Sequence, residues 1–422
     1  MKNRKPWSWI PTLYFAEGLP YIAATEVAII LFANLGLSNT YNAIYTSLFI
    51  LPSIFIKFVF GPLLDLAKTK RFWIITFQWI MSFCFGLIAL AIPADFAIKA
   101  AVWLFMVLAF NSALHDIAAD GFYLLALDTE KQSFFVGIRN TFYRMANIFA
   151  QGLMVAFVGF LFEGKIFPSF EGKISLSWSI GFAIFATILL VLTLYHTFSL
   201  PKPALDQKRE FKSRKQVFSD FGETFKTFFA RKNIGLILFF LLTYRLGEAQ
   251  LVRLAKPFLL DELANGGLAL KTSSIGLIYG TLGVAALLAG GILGGILISK
   301  HGLKKWLIPM VLFINVPDIV YVIMAYGNPS TWMVAFFVLL EQFGYGFGFT
   351  AYMLFLIHIV DGRFKTAHYA FGTGIMALSV FIPGIFAGKI QDMIGYQYFF
   401  VWVLICTIPG FIATYLVKKK MF

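Results

Sequence analysis

Residues 295–305 read Gly295-Ile296-Leu297-Ile298-Ser299-Lys300-His301-Gly302-Leu303-Lys304-Lys305 and lie between two long apolar stretches. Upstream, 273–299 contains no Asp, Glu, Lys or Arg, and a second apolar run begins at Trp306. A bilayer crossing needs ~20 mostly apolar residues, so the segment reads as a short basic turn joining two membrane helices. A counterpart lies earlier in the chain: Gly61-Pro62-Leu63-Leu64-Asp65, followed by Lys68, Lys70 and Arg71. Each segment runs ten positions from its glycine to its last basic residue, and the glycines stand 234 positions apart (295 minus 61). Repetition at a fixed offset points to two related halves.

The rest of the sequence has the same character. Its 422 residues are 59% hydrophobic and 13% charged, with a mean hydropathy of +0.79, against roughly 25% charged residues in an average soluble domain. A soluble fold has no means of hiding that much apolar surface. Twelve crossings are expected, at 8–33, 40–63, 72–92, 98–125, 133–160, 176–198, 234–260, 273–299, 305–326, 331–358, 367–391 and 397–417, numbered 1 to 12 in chain order. The first apolar stretch is too long for a cleaved signal and lacks a small-residue cleavage site, so it is read as helix 1. Cys84 and Cys406 fall in different halves and suggest neither a disulfide framework nor a metal cluster.

The net charge of +14 raises the question of nucleic acid, which the placement of the cations answers. With both termini in the cytoplasm, the inward segments carry 24 basic residues and the outward loops only Lys99, Lys165, Lys173 and Lys271. The positive-inside rule accounts for this asymmetry without nucleic acid. The domains expected are an N-terminal six-helix bundle over 1–198, a cytoplasmic linker over 199–232 and a C-terminal six-helix bundle over 233–422. Within the linker, Phe218, Phe221, Phe225 and Phe229 recur at helical spacing beside Lys226 and Arg231. That pattern suits either an amphipathic helix on the anionic inner leaflet or a solvated basic linker.

The two basic turns resemble the G-x-x-x-D-R/K-x-G-R/K-R/K signature of the major facilitator superfamily. In the second copy Ser299 replaces the acid; in the first the acid is kept and the inner glycine is lost. The resemblance implies an all-α integral membrane fold of twelve transmembrane helices in two six-helix halves. It also implies that Gly61, Asp65, Arg71, Gly295, Lys300, Gly302 and Lys305 belong to conformational-switch loops, with Asp65 suited to capping a neighbouring helix N-terminus. Simple positive-inside anchoring is the plainer reading of the basic residues.

Ionisable groups inside hydrocarbon cost ~2.5–3.5 kcal/mol each on the insertion scale, so each calls for a partner or a function. Glu17, Glu248 and Glu341 fall near the midplane of helices 1, 7 and 10, and helix 4 adds His115, Asp116 and Asp120, the acids being i and i+4 on one face. In the major facilitator fold helices 1, 4, 7 and 10 line the central cavity. Helix 5 opens with Arg139, Tyr143 and Arg144 at the depth of Asp116 and Asp120. Asp120 is expected to pair with Arg139 or Arg144, either as a structural tie or as a pair that breaks when a proton or substrate arrives. On helix 7, Arg245 and Glu248 have the spacing of a local pair, while Arg253 and Lys256 read as a basic approach suited to carboxylate or phosphate. Pro20, three residues after Glu17, predicts a kink. Gly290/Gly294, Gly291/Gly295 and Gly384/Gly388 predict close packing. Gly344, Gly346 and Gly348, beside Glu341 and Gln342, suggest a mobile helix 10.

At 14–20, Tyr-Phe-Ala-Glu-Gly-Leu-Pro, and at 115–123, His-Asp-Ile-Ala-Ala-Asp-Gly-Phe-Tyr, the chain resembles AmpG-type muropeptide permeases, in the peptide and acetyl-coenzyme A transporter branch of the superfamily. The family pattern is close to Y-x-x-Q-G-L-P and Q-D-I-A-x-D-A-x-R, followed by a Tyr-Arg pair matching Tyr143-Arg144. Glu17 and His115 stand where glutamine is usual, and Tyr123 where a basic residue is often found, all in the expected cavity. A carboxyl in a low-dielectric cavity is suited to loading and releasing protons, which singles out Glu17. The resemblance implies a proton-coupled importer of cell-wall-derived muropeptides or amino sugars. The expected setting is a bacterial inner membrane with both termini cytoplasmic, acting as a monomer on a small-molecule substrate with protons, and with no cofactor, metal or nucleic acid. An exporter of drugs or metabolites on the same fold is the alternative. An enzyme is not expected, since the sequence carries no H-E-x-x-H, nucleophile elbow, Walker loop or redox pair.

Overall fold

The computed structural model describes residues 5–56, 68–207, 223, 225–327, 329–360 and 365–422, and the described residues form helices and turns without a strand. That is the outcome expected where hydrocarbon offers the backbone no hydrogen-bond partner and each segment must satisfy its own N–H and C=O groups. The membrane helices are α1 (Pro6–Asn34), α2 (Asn39–Leu48, resuming over 51–56), α3 (Lys70–Ala91), α4 (Ala97–Ala126), α5 (Glu130–Phe162), α6 (Ile174–Ser199), α7 (Ile234–Leu260), α8 (Thr272–His301), α9 (Leu303–Gly327) and α10 (Thr331–Ile359). The last long helical stretch, Lys365–Met421, breaks at Gly395 (φ 73°) into α11 (365–394) and α12 (396–421). Gly61, Asp65 and the linker phenylalanines Phe218 and Phe221 lie outside the described residues.

Several helices are irregular where the sequence pattern is smooth. In α1 one π-helical stretch, Ala23–Val27, follows Pro20. Two more occur at Ile148–Met154 in α5 and Gly276–Gly283 in α8. The expected continuous helix over 234–260 is interrupted: one segment ends at Thr243, the next begins at Leu246, and Arg245 sits between them with φ −117° and ψ 20°. Broken backbone at membrane depth survives only inside protein or beside a cavity. Arg245 is buried.

The chain forms two compact units. One holds residues 1–37, 49–211 and 272–280; the other holds 38–48, 212–271 and 281–422. In the second, Asn39 donates from its amide to Gln391 and to Tyr396 Oη, both at 2.8 Å, and the Tyr396 hydroxyl donates to Asp261 at 2.6 Å.

The glycines of α10 act in packing rather than in mobility. A methyl group on Gly346 would sit 1.9 Å from the Leu287 carbonyl of α8, and one on Gly344 would sit 2.1 Å from the Phe313 carbonyl of α9. Alternate glycines thus let α10 be approached closely from two sides, and Gly290 of α8 meets Phe343 of α10 in the same way. Gly384 and Gly388 of α11 are also close-packed, whereas Gly295 has open space beside it. Gly302 has a separate role. It ends α8 at φ 81°, a backbone region that favours glycine, and its N–H donates to Ile298 O at 2.8 Å.

The N-terminal end of α3 shows how one basic residue of the first turn works. Asp206, from the start of the linker, accepts from the N–H groups of Lys70 (2.7 Å) and Arg71 (3.0 Å), while Thr69 accepts from Phe72 N at 3.1 Å. In return Arg71 donates to the carbonyls of Leu200 (3.3 Å) and Thr197 at the C-terminus of α6. An acid meets a helix N-terminus and a cation meets a helix C-terminus, as the helix dipole favours. Replacing Asp206 with Ala is expected to destabilise the first unit by about 1 kcal/mol, the usual worth of such a cap, read as a lower melting temperature of the detergent-solubilised protein.

Candidate functional site

In the first unit a cavity of about 240 Å³ is lined by Glu17 and Tyr21 of α1, Ser53 of α2, Ser112, Ala113 and Asp116 of α4, and Tyr143 of α5. Helical spacing explains the grouping: Tyr21 lies four residues from Glu17, and Ser112 four residues from Asp116, so each pair shares a face. Glu17 is buried beside Asp116, whose carboxyl acts on it electrostatically, while its Oε2 has no hydrogen-bond partner. Two ionised carboxylates are acceptors only and repel each other, so neighbouring acids in such a setting favour a proton on one of the two.

One turn nearer the C-terminal end of α4, Asp120 Oδ1 pairs with Arg139 Nη1 at 2.9 Å. Arg139 also donates to Tyr14 Oη at 3.1 Å, and its guanidinium lies over the rings of Tyr14 (4.7 Å) and Tyr123 (5.2 Å). The planar cation is thereby stacked as well as paired. Arg139 is the partner of Asp120, and Arg144, the other candidate, is exposed. The side chains of the pair are 24% and 44% exposed, so the bridge adds little stability. Neutralising Asp120 alone leaves Arg139 without its acid. Asp120→Asn is expected to impair uptake, and Asp120→Asn with Arg139→Gln to recover part of it. Transport assays of the single and double variants check this, and recovery with Arg144→Gln instead would contradict the pairing.

His115 does not line the cavity as expected. It points behind α4, fully buried, with Nε2 3.0 Å from Gln78 Nε2. Gln78 Oε1 accepts from His196 Nδ1 at 2.9 Å, and His196 Nε2 lies 3.0 Å from Thr12 Oγ1. This network joins α4, α3, α6 and α1. The i and i+4 acids face the cavity and the arginine, and His115, one position from Asp116, is turned away by ~100°.

In the second unit the break in α7 presents Arg245. Its Nε donates to Glu248 Oε2 at 2.8 Å and its Nη2 to Tyr345 Oη at 2.9 Å, and the guanidinium lies over Tyr345 (5.1 Å) and Phe349 (5.0 Å) of α10. Tyr345 and Phe349 are i and i+4 and form one wall. Glu341 is buried and accepts from Gln342 Nε2 at 3.1 and 3.0 Å and from Tyr321 Oη at 3.4 Å. Arg253 and Lys256 are buried too, so they do not form the open basic approach that the sequence suggested. At the end of α8, Lys300 and Lys305 are exposed, and Lys304 Nζ donates to Phe422 O at 2.7 Å.

The family model described as Major Facilitator Superfamily matches residues 13–388. The chain belongs to the major facilitator superfamily. Over 373 residues it is 25% identical to the putative transporter AmpG 4 of Rickettsia conorii (strain ATCC VR-613 / Malish 7), covering 86% of this chain and 85% of the relative. Over 370 residues it is 22% identical to the anhydromuropeptide permease of Escherichia coli (strain K12), covering 86% of this chain and 70% of that protein. A solved structure of a bacterial homolog to the human lysosomal transporter Spinster superposes with a TM-score of 0.72 at 15% identity, covering 97% of this chain and 95% of that one. That likeness shows the fold. The expected twelve-helix major facilitator fold and the AmpG-type resemblance therefore stand, and the chain is a multi-pass membrane transporter rather than an enzyme.

Several residues of this superfamily member's sites were absent from the sequence reading. Tyr21, Ser53 and Ser112 of the cavity and Tyr345 and Phe349 around Arg245 are neutral, and neutral residues do not stand out in an apolar chain. Tyr14 sits in the helix 1 motif itself, three residues before Glu17 on the same face.

Proposed function

We propose that the protein is a proton-coupled importer of cell-wall-derived muropeptides or amino sugars, working by alternating access in a bacterial inner membrane with both termini in the cytoplasm. The observation that carries the reading is the pairing of two acids, Glu17 and Asp116, in the lining of one small polar cavity. A carboxyl pair holding one proton is a switch. With the proton, the pair is singly charged and held together; without it, two like charges face each other in low dielectric, where repulsion is strong. Proton arrival and departure therefore move α1 against α4, the motion that coupling requires.

Asp120 and Arg139 form the adjoining polar surface, with the guanidinium available to carboxylate groups of the kind carried by muramic acid and peptide termini. The substrate class is supported by relatedness to proteins named as an anhydromuropeptide permease and putative AmpG transporters. Uptake of labelled anhydro-muropeptide and of N-acetylmuramic acid into proteoliposomes, with and without an inward proton gradient, tests the proposal. Gradient-dependent accumulation of either supports it. Uptake indifferent to the gradient removes the coupling, and accumulation of neither removes the substrate class.

A further inference from the structure

Helix α9 carries an acid at its middle. Asp318 is 1% exposed, and neither carboxylate oxygen has a hydrogen-bond partner. Three residues earlier, Asn315 is also 1% exposed; its Nδ2 donates to Val311 O at 2.9 Å, and its Oδ1 has no partner. The spacing puts both side chains on one helix face. Helix α9 changes from α to a 3-10 turn over Val316–Asp318, and Pro317 approaches Gly344 of α10 so closely that a methyl there would lie 2.9 Å from Pro317 Cγ. The two helices thus touch beside Asp318, and Tyr321, one turn on, hydrogen-bonds Glu341 of α10 at 3.4 Å.

These oxygens are all acceptors, and what they lack is a donor. We propose that Asp318 is a second proton-binding site, in the second unit, whose proton serves Asn315 and lies within electrostatic reach of Glu341. Binding forms one O–H bond on the carboxylate and turns an acceptor-only group into a donor, for which Asn315 Oδ1, three residues away and itself without a donor, is the acceptor we assign. The surrounding charges fit. Glu341 of α10 and Glu248 of α7 act on Asp318, and an ionised Asp318 would add a further negative charge to theirs. Arg245 is already held by Glu248 and Tyr345, and Phe400 of α12 adds only an aromatic ring against Tyr321, 5.3 Å away. Among the described residues no group of three or more acidic, histidine or cysteine side chains could hold a metal ion. The site is distinct from the Glu17–Asp116 pair and does not rest on the proton-coupled reading.

The test uses purified full-length protein in lipid and infrared difference spectra at neutral pH, without substrate. The wild type is expected to show the C=O stretch of neutral carboxylic acids. Asp318→Asn, a near-isosteric replacement of a neutral acid, is expected to fold with an unchanged melting temperature and to lose the amplitude of one carboxyl. Asn315→Leu keeps the acid and removes its acceptor, so the band is expected to keep its amplitude and move in frequency; it decides the matter if Asp318→Asn fails to fold. A neutral-carboxyl band unaltered by Asn315→Leu, or by a folded Asp318→Asn, overturns the proposal.

Discussion

Glu17→Gln is expected to abolish gradient-driven accumulation while leaving substrate exchange across the membrane in place. Glutamine keeps the size and the hydrogen-bonding reach of the glutamate that faces Asp116, but it neither takes up nor gives up a proton. The pair then lacks its two charge states, and the proton gradient has nothing to act on in this cavity. Accumulation under an inward proton gradient should fall by about tenfold or more, the equivalent of ~1.4 kcal/mol or more of lost coupling. Counterflow, in which labelled substrate enters against unlabelled substrate inside, should change by much less. If accumulation and counterflow fall together, Glu17 binds substrate or holds the fold rather than carrying the proton.

Arg245→Ala is expected to be the most destabilising single change in the second unit. It strips Glu248 of its partner in a buried setting, and removing one member of a buried pair costs ~3–5 kcal/mol. It also leaves a gap between Tyr345 and Phe349 where the guanidinium is stacked. Arg245→Lys should recover little, because an ammonium offers neither the planar face nor the fork of donors that meets Glu248 and Tyr345 together. Arg245→Ala combined with Glu248→Gln should recover part of the loss by removing the orphaned charge. Melting temperatures of the three variants decide the point, and a wild-type value for Arg245→Ala would show that the pair holds nothing.

The contrast between these two sites shows what the sequence carries. Membrane spans are legible because hydrocarbon permits little else: the expected 98–125 and 331–358 correspond to Ala97–Ala126 and Thr331–Ile359. Charged residues in those spans are legible for the same reason, since each stands out as a cost, as Glu17, Asp116 and Asp120 do. Direction around the helix axis was harder. His115 adjoins Asp116 in sequence, but its face of α4 turns to Gln78 and His196. The break at Arg245 left no proline or glycine at that position, because its cause is the tertiary anchoring of the guanidinium on α10 and of Tyr244 Oη on Gly348 O at 2.9 Å. Asp206 stands among the cations of 199–232 with no pattern to mark it, although it caps the N-terminus of α3. The glycines of α10 were read as freedom and serve as contact surface, a distinction that depends on the neighbouring backbones.

On the proposed mechanism one proton shared by Glu17 and Asp116 travels with the substrate. Proton movement on addition of anhydro-muropeptide to proteoliposomes prepared without any gradient, followed with a pH-sensitive dye outside the vesicles, tests it most directly. External alkalinisation is expected in the wild type as protons enter with substrate, and none in Glu17→Gln or Asp116→Asn. Substrate entry without alkalinisation in the wild type, or alkalinisation that persists in both variants, would contradict it.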